Sequence, residues 1–411
     1  MSARGMCVTA AVLFVVASLG SGCTSDDAGF AASGLTYDEP LPSPVPTIAT
    51  EVRESRGQII SQSQLDPLSE RIGAHAAAAK QADYQSTSGV TGARTEVSGA
   101  FFIPLGEPPQ GGWPVVALAH GTSGTQHGCA PSQTADLRGE AGLVVALLSK
   151  GYAVAATDYQ GLREQGLHPY LEPRTSAFNV IDSVRALRAL FGSVSDRWVA
   201  FGPSQGGQAA WAVNELNGTY GDGLQLQGTV ALSPAVNISD LADRAFSGAL
   251  TGWQSALMPL VVDGLARYDR TIVVSHYLRG ETAKELSTIT GCGPEALHTR
   301  ARLAKSDDVK PTTVADATAL RDALRRIALP QGPLTVPMLV MNGSKDESIM
   351  PSWVSGAVER ACNLGGRVQH MEIQGVGQSN LGHDAVTLHW ISERFAGLPV
   401  PQGRSEERRV G

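Results

Sequence analysis

The sequence is poor in charge and in long apolar runs, and each shortage excludes a class of protein. Charged residues make up only 17% of the 411 residues, and the net charge is −7. No basic block stands out, so the chain lacks the electrostatic footprint of a nucleic-acid-binding protein. The apolar run at residues 8–19 is too short to cross a bilayer, which needs about 20 residues. No internal repeat is present.

What the sequence does contain is enough apolar material for a large core. Hydrophobic residues account for 42% of the chain, which excludes global disorder. The 46 glycines and 23 prolines indicate many turns, as expected where strands and helices alternate.

The N-terminus has the features of an export signal. Arg4 supplies a positive start, residues 8–19 supply the apolar core, and Cys23 follows small residues. This arrangement is similar to a bacterial lipobox and predicts a signal peptide over residues 1–22 with lipidation at Cys23. The alternative is ordinary secretion with cleavage near residues 28–33. We therefore expect either an exported lipoprotein, anchored on the outer face of the cell membrane, or a secreted protein.

Five cysteines are present, and two of them belong to the export segment. Cys7 would leave with the signal peptide and Cys23 would carry the lipid, so Cys129, Cys292 and Cys362 remain in the folded part. Three cysteines in an exported protein allow one disulfide and one leftover thiol. Their spacing matches no zinc site and includes no CxxC, so a structural bridge is favoured.

The chain divides into a tether, a core and an insertion. Residues 23–46 are rich in Ser and Pro and predict an extended tether to the membrane, and residues 59–72 and 74–82 predict helices. From about residue 95 short apolar strands alternate with helices, which predicts an α/β fold with a mostly parallel sheet flanked by helices. Residues 235–331 interrupt this alternation of strands and helices and predict a helical cap inserted between core segments 47–234 and 332–399. A disordered tail is expected over 400–411.

One motif carries the chemistry. Gly202-Pro203-Ser204-Gln205-Gly206 follows a predicted strand at residues 198–201 and precedes a predicted helix at 209–216. G-x-S-x-G between a strand and a helix is typical of a nucleophile elbow, in which a tight turn lifts the Ser hydroxyl above the sheet. The sequence therefore predicts Ser204 as a nucleophile.

A serine nucleophile needs a base to take its proton and an acid to orient that base, and in this type of fold they follow the serine in the order acid, then base. Asp346 lies just beyond the predicted strand 338–341 and is the predicted acid, with Glu347 as the alternative. His383 lies in a Gly-rich loop after the predicted strand 368–373 and is the predicted base. His389 and His370 are the other C-terminal histidines, with a packing role favoured for His389.

An acyl-transfer site also needs N–H donors for the developing oxyanion. The amide of Gln205, next after the nucleophile, is the first predicted donor, and the amide of Gly121 or Thr122, after an early strand, is the second. His120 precedes the serine, and we expect it to shape this loop.

The residues together resemble the secretory lipase family of actinobacteria and fungi, within the α/β-hydrolase superfamily. The resemblance covers residues 100–397 and rests on seven segments: AHGTSG at 119–124, CAPS at 129–132, TDYQGL at 157–162, HPY at 168–170, NVIDSVRALR at 179–188, GPSQGG at 202–207 and the acid segment at 343–346. It implies an α/β-hydrolase core with a helical cap (lid), hydrolysis of carboxylic esters, and no metal or organic cofactor. It also implies a triad of Ser204, Asp346 and His383, and a Cys292–Cys362 disulfide with Cys129 free.

Two positions depart from the family pattern. Members usually carry the His directly after a GxG-type turn, where this chain has Gln378, and His383 follows five residues later. Position 203 is Pro, where an aromatic residue or His is commoner.

The sequence predicts a serine carboxylester hydrolase, a lipase or esterase acting on lipid or other acyl esters. An acyltransferase or peptidase with the same nucleophile, and a non-catalytic lipid-binding lipoprotein, are the alternatives. Apolar cap residues would line an acyl pocket or form the core of the cap itself: Leu241, Phe246, Leu250, Trp253, Leu257 and Met258.

Overall fold

A computed structural model of the chain describes residues 38–164, 166–378 and 383–400, with residues 383 and 384 described by their backbone alone. Cys23, the predicted lipidation site, and most of the predicted tail lie outside these residues. The strands are β1 (Ile59–Gln64), β2 (Ala76–Thr87), β3 (Arg94–Pro104), β4 (Trp113–Ala119), β5 (Ala153–Thr157), β6 (Val194–Pro203), β7 (Gln225–Leu232), β8 (Met338–Gly343) and β9 (Val368–Ile373). The helices are α1 (Thr50–Glu54), α2 (Glu70–Gly73), α3 (Ala141–Ser149), α4 (Pro173–Leu190), α5 (Gln205–Tyr220), α6 (Leu241–Ser247), α7 (Gly252–Ala266), α8 (Gly280–Lys284), α9 (Leu286–Ile289), α10 (Gly293–Leu303), α11 (Val314–Arg326), α12 (Pro351–Asn363) and α13 (His383–Phe395).

The strands form one sheet in the order β1-β2-β3-β5-β4-β6-β7-β8-β9. Strands β1 to β3 are antiparallel to one another, and β3 is antiparallel to β5. From β5 to β9 every pairing is parallel. The prediction of a mostly parallel sheet flanked by helices is confirmed.

The core lies on both faces of the sheet. Along β4, Val115 and Ala117 belong to one apolar cluster, and Val116 and Leu118 belong to the other. Because successive side chains of a strand point to opposite faces, both faces of this strand are buried. This burial explains why the central strands read as unbroken apolar runs. Their parallel pairing places their carboxyl ends at one edge of the sheet.

The helices predicted over residues 59–72 and 74–82 are wrong. Strand β1 and the short helix α2 occupy the first segment, and β2 occupies most of the second. β2 pairs with β3 from Ala76 to Thr87 and buries Ala82 and Tyr84. Alanine favours a helix by less than 1 kcal/mol per residue, and a ladder of this length with apolar burial outweighs that preference.

Between β7 and β8 the described residues form helices α6 to α11 and contain no strand. The sequence predicts a helical cap at residues 235–331, and we use the term cap for these residues below. The cap is held in part by the end of the predicted tether, because Asp38 accepts hydrogen bonds from Arg321 of α11 at 2.8 and 2.5 Å and from Asn237 through its carbonyl at 2.7 Å. Residues 38–46 are thus extended but packed against the body.

In the part of the chain that the structure describes, no helix combines the length and the apolar character needed to cross a membrane.

Candidate active site

The predicted nucleophile lies on a sharp turn at the carboxyl end of β6. Ser204 has φ 52° and ψ −114°, a conformation that a residue with a side chain rarely adopts, and α5 begins at the next residue. The turn is held by hydrogen bonds from the Ser204 amide to Leu232 O (2.8 Å) and from the Ala235 amide to Ser204 O (3.2 Å). The side chain is half-buried and lies near the positive end of the α5 dipole.

Two glycines make this turn possible. A Cβ at Gly206 would overlap the carbonyl oxygen of Ala119, and a Cβ at Gly202 would overlap that of Gly206. Strand β4, the first turn of α5 and the end of β6 therefore approach one another closely. This contact brings the loop after β4 alongside Ser204.

The predicted acid lies beyond the end of β8 and is almost completely buried. Asp346 is 2% exposed, and its Oδ1 accepts the amides of Ser348 (2.9 Å) and Ile349 (3.0 Å). Burial raises the pKa of this carboxyl, and those amides, together with the nearby Ser233 hydroxyl, oppose the rise. Among the described residues its buried Oδ2 has no hydrogen-bond partner, and such an atom normally finds a donor. The alternative acid, Glu347, is exposed.

The predicted base can be located only by its backbone. His383 begins α13, and its side chain and residues 379–382 lie outside the described part. The preceding turn packs against the acid loop, because the Lys345 amide donates to Val376 O at 2.9 Å. The loop that carries His383 therefore leaves directly from the neighbourhood of Asp346.

The side chain that contacts the nucleophile is one for which the sequence predicts no catalytic role. Gln378 Nε2 donates to Ser204 Oγ at 3.2 Å. Its position after the GxG turn was noted in the sequence, and that departure from the family pattern was the available signal. The other C-terminal histidines have different partners: His370 contacts Asn342 Oδ1 at 2.7 Å, and His389 has a 76% exposed side chain that lies 3.3 Å from Glu393.

The loop after β4 carries the predicted second oxyanion donor. His120 is 3% exposed, and its ring nitrogens lie 2.6 Å from Gly121 O and 3.2 Å from Asp158 O. His120 is thus buried and contacts both its own loop and the residue that follows β5. Burial raises the pKa of Glu140 to about 6, and the Gly121 amide lowers it, so that amide faces a carboxylate. Among the described residues, no hydrogen bond joins the amide of Thr122 or of Gln205 to a carbonyl oxygen outside its own helix or strand.

Residues of the predicted cap contact this region from two sides. Thr251 at the start of α7 donates through Oγ1 to Glu347 O at 2.7 Å. On the other side the Thr125 amide donates to Thr290 O at 2.8 Å. Leu241 and Met258 are fully buried within the core, whereas Trp253 is 60% exposed. The six apolar cap residues therefore do not share one environment.

The predicted Cys292–Cys362 disulfide is wrong. Cys292 is bonded to Cys129, with a Cα–Cα distance of 5.4 Å, so Cys129 is not a free thiol. Cys129 lies in the loop after β4, and Cys292 is the cap residue that directly precedes α10. The bridge joins residues that are 163 positions apart. A pairing over that distance cannot be inferred from the spacing of the cysteines.

The described residues contain no group of three or more His, Cys, Asp or Glu side chains that could hold a metal ion.

Comparisons with known proteins agree with this geometry. Residues 126–403 match the sequence profile of a family described as secretory lipase. No curated protein matches the chain significantly in sequence. Candida antarctica lipase A in its closed state is similar in structure, with a TM-score of 0.70 and 16% identity over 87% of each chain. The ligand-bound rice cell wall degrading esterase LipA from Xanthomonas oryzae gives a TM-score of 0.65 and 20% identity, over 83% of this chain and 96% of that chain. These similarities establish the α/β-hydrolase fold.

Proposed function

The chain belongs to the secretory lipase family and is a carboxylester hydrolase, and we propose that it cleaves acyl esters of lipids through an acyl-enzyme on Ser204. His383 takes the Ser204 proton as Oγ attacks the ester carbonyl, and then gives that proton to the departing alcohol. Asp346 holds the imidazole in the orientation and tautomer that this transfer needs. Water, activated by the same imidazole, releases the acid.

The backbone of Ser204 is the observation that carries the proposal. A strained serine at φ 52°, between a strand and the N-terminus of a helix, persists only where surrounding contacts enforce it, and such strain clusters at active sites. The glycine contacts around it supply that enforcement. A serine in an ordinary surface turn would need none of them.

Asp346 supports the second role. Its Oδ1 is satisfied by two backbone amides, whereas Oδ2 is buried and makes no hydrogen bond within the described residues, although the Ser233 hydroxyl lies near this carboxyl. A carboxylate held in this way has one oxygen left to accept an imidazole N–H. His383 suits this role because its loop departs from the turn that packs on the acid segment.

The oxyanion would be held by the amides of Gln205 and Thr122. Gln205 opens α5, so its N–H points away from the helix toward the space above Ser204. Thr122 is the better second donor, because the Gly121 amide faces Glu140. Removing one such donor typically costs about 2.7–4 kcal/mol of transition-state stabilisation.

Lipid esters are the proposed substrates because a large helical cap covers the site and family membership implies export. We further propose that Cys23 is acylated, which would keep the enzyme at the outer face of the membrane.

Hydrolysis of p-nitrophenyl esters from acetate to palmitate tests the proposal. We expect Ser204→Ala and His383→Ala each to lose about 10³-fold or more in kcat. His370→Ala and His389→Ala are the matched controls and should retain activity. Full activity of His383→Ala would remove His383 from the mechanism. A preference for alcohols over water as acyl acceptors would make the protein an acyltransferase, and inactivity of the unaltered protein toward every ester would withdraw the proposal.

A further inference from the structure

The tripeptide His168-Pro169-Tyr170 lies in the loop before α4 and contacts both sides of the proposed oxyanion hole. The Tyr170 hydroxyl and Thr122 Oγ1 share a hydrogen bond of 2.7 Å. Gln205 Nε2 lies 3.2 Å from His168 Nε2. His168 and Tyr170 are each 2% exposed. Two neighbouring buried side chains thus reach the two residues whose amides we assign to the oxyanion.

The hydrogen bonds of His168 define its protonation. Its Nδ1 lies 2.9 Å from Gln160 O, and because a carbonyl only accepts, Nδ1 carries the proton. Nε2 is then the acceptor for the Gln205 amide group. Burial lowers the pKa of His168 to about 3, so the imidazole stays neutral wherever a histidine base works. His168 cannot act as that base, since both of its nitrogens are engaged.

Ring contacts, of which one is stacked and two are tilted, link these two side chains to the loop after β4. The His120 and Tyr159 ring centroids are 4.3 Å apart, and Tyr159 and His168 are stacked at 6.1 Å with an interplanar angle of 17°. The Tyr159 hydroxyl donates to His120 O at 3.1 Å. The ring contacts therefore run from His120 of the oxyanion loop to His168. They continue to Tyr170, whose ring centroid lies 6.1 Å from that of His168.

The cap packs against the far side of Tyr170. A Cβ at Gly264 of α7 would lie 2.5 Å from Tyr170 Cβ, and the Tyr268 hydroxyl donates to Tyr170 O at 3.4 Å. Tyr170 thus has little freedom to move away from Thr122.

We propose that His168 and Tyr170 are positioning residues that set the two halves of the oxyanion hole, His168 through Gln205 and Tyr170 through Thr122. The proposal rests on the proposed function. Neither side chain touches the reacting atoms in this scheme. Each fixes a residue whose backbone N–H must meet the oxyanion, and the stabilisation from such a donor depends on its placement before the reaction.

Tyr170→Phe is the first test, because it removes one hydroxyl and keeps the ring. We expect kcat to fall about 10-fold, less than the loss of a whole donor, with KM nearly unchanged. Affinity for a trifluoromethyl ketone, which mimics the tetrahedral state, should fall in parallel. Thr122→Val keeps the amide and should give a similar loss, and the double variant should be no worse than either single one.

His168→Ala tests the contact between His168 and Gln205. Combining it with Gln205→Met gives a second double-mutant cycle. We expect each to lower kcat and ketone affinity together, again without additivity. Tyr277→Phe is the matched control, since it removes the hydroxyl of another buried tyrosine, which donates to Asp316 O at 3.0 Å and contacts neither oxyanion residue nor Tyr170, and it should leave kcat unchanged.

The outcomes separate this proposal from the function on which it rests. If Ser204→Ala keeps its activity, the nucleophile assignment fails and the positioning roles fail with it. If Ser204→Ala is inactive while Tyr170→Phe and His168→Ala keep the original kcat and ketone affinity, only the positioning roles are overturned. Titration of active sites with a phosphonate counts the folded enzyme, so that a loss of kcat is not confused with misfolding. A normal kcat per titrated site in both variants would also overturn the positioning roles.

Discussion

The elbow around Ser204 and the loop after β9 carry the two ends of the proposed proton transfer, yet they are built differently. The elbow is fixed by local sequence, since Gly202, Gly206 and the strained Ser204 lie within five residues and permit one backbone path. The loop after β9 is positioned by partners distant in sequence: Gln378 contacts Ser204 across 174 positions. A nucleophile can therefore be read from a pentapeptide, whereas its base depends on how remote segments meet.

The same glycine-to-alanine change in the two regions should give the largest contrast. At Gly206 the added methyl overlaps the backbone of Ala119, whereas at Gly377 it would lie 3.6 Å from its nearest neighbour, Lys345 O. We expect Gly206→Ala to lose the folded, active protein and Gly377→Ala to remain folded and active. Soluble yield, circular dichroism and esterase activity measure both, and an active Gly206→Ala would contradict the close packing at the elbow.

An exchange of side chains tests whether the loop after β9 has a second place for a base. Gln378 Nε2 already lies 3.2 Å from Ser204 Oγ, and a histidine side chain has a similar reach. In the inactive His383→Ala background we expect Gln378→His to restore activity about 10-fold or more, because a positioned general base contributes about 10²–10⁴-fold. Gln378→Asn in the same background is the control and should restore nothing. Equal activities of the two double variants would show that position 378 cannot hold a base.

The contrast between the two regions also explains what sequence reasoning could supply. Strands β4 to β9 and the Ser204 elbow follow from apolar runs and glycine spacing, which act over a few residues. The mistaken helices at 59–82 and the mistaken disulfide depend instead on long-range pairing, of β2 with β3 and of Cys129 with Cys292. The Tyr170–Thr122 contact, across 48 positions, belongs to the same class.

The two regions should also respond differently to pH. Helix α5 of the elbow carries Glu215, and burial raises the pKa of this carboxyl from its ordinary 4.5 to about 8, although the amides of Gln331 and Gly332 oppose the rise. Between these values the folded chain keeps a proton that the unfolded chain has released. The free energy of unfolding should therefore fall as pH rises through this window, by at most roughly 1.4 kcal/mol per unit, and be unaffected by this group below it.

Glu215→Gln should flatten that slope in urea unfolding measured from pH 5 to 8. Its esterase activity should still decline below about pH 6.5, where an imidazole base becomes protonated. The free energy of unfolding would then follow the protonation of Glu215 in the elbow helix, whereas activity would follow the protonation of the imidazole base after β9. Identical unfolding slopes in the variant and the unaltered protein would exclude Glu215 as the source.

The disulfide should produce the smallest of these effects on activity, since it supports the oxyanion side of the site without touching the elbow or the loop after β9. Cys129 ends the stretch that begins with Gly121 and Thr122, and its bond to Cys292 fixes that stretch to the cap across 163 positions. Replacing both cysteines by Ala should lower the free energy of unfolding by about 2–4 kcal/mol, because the unfolded chain regains the freedom that the cross-link removes. Activity of the folded fraction should persist, since Thr122 is still held by Tyr170. Urea unfolding with and without reductant provides the check. A midpoint that shifts with reductant to the same extent in the double variant would mean that another bond is responsible.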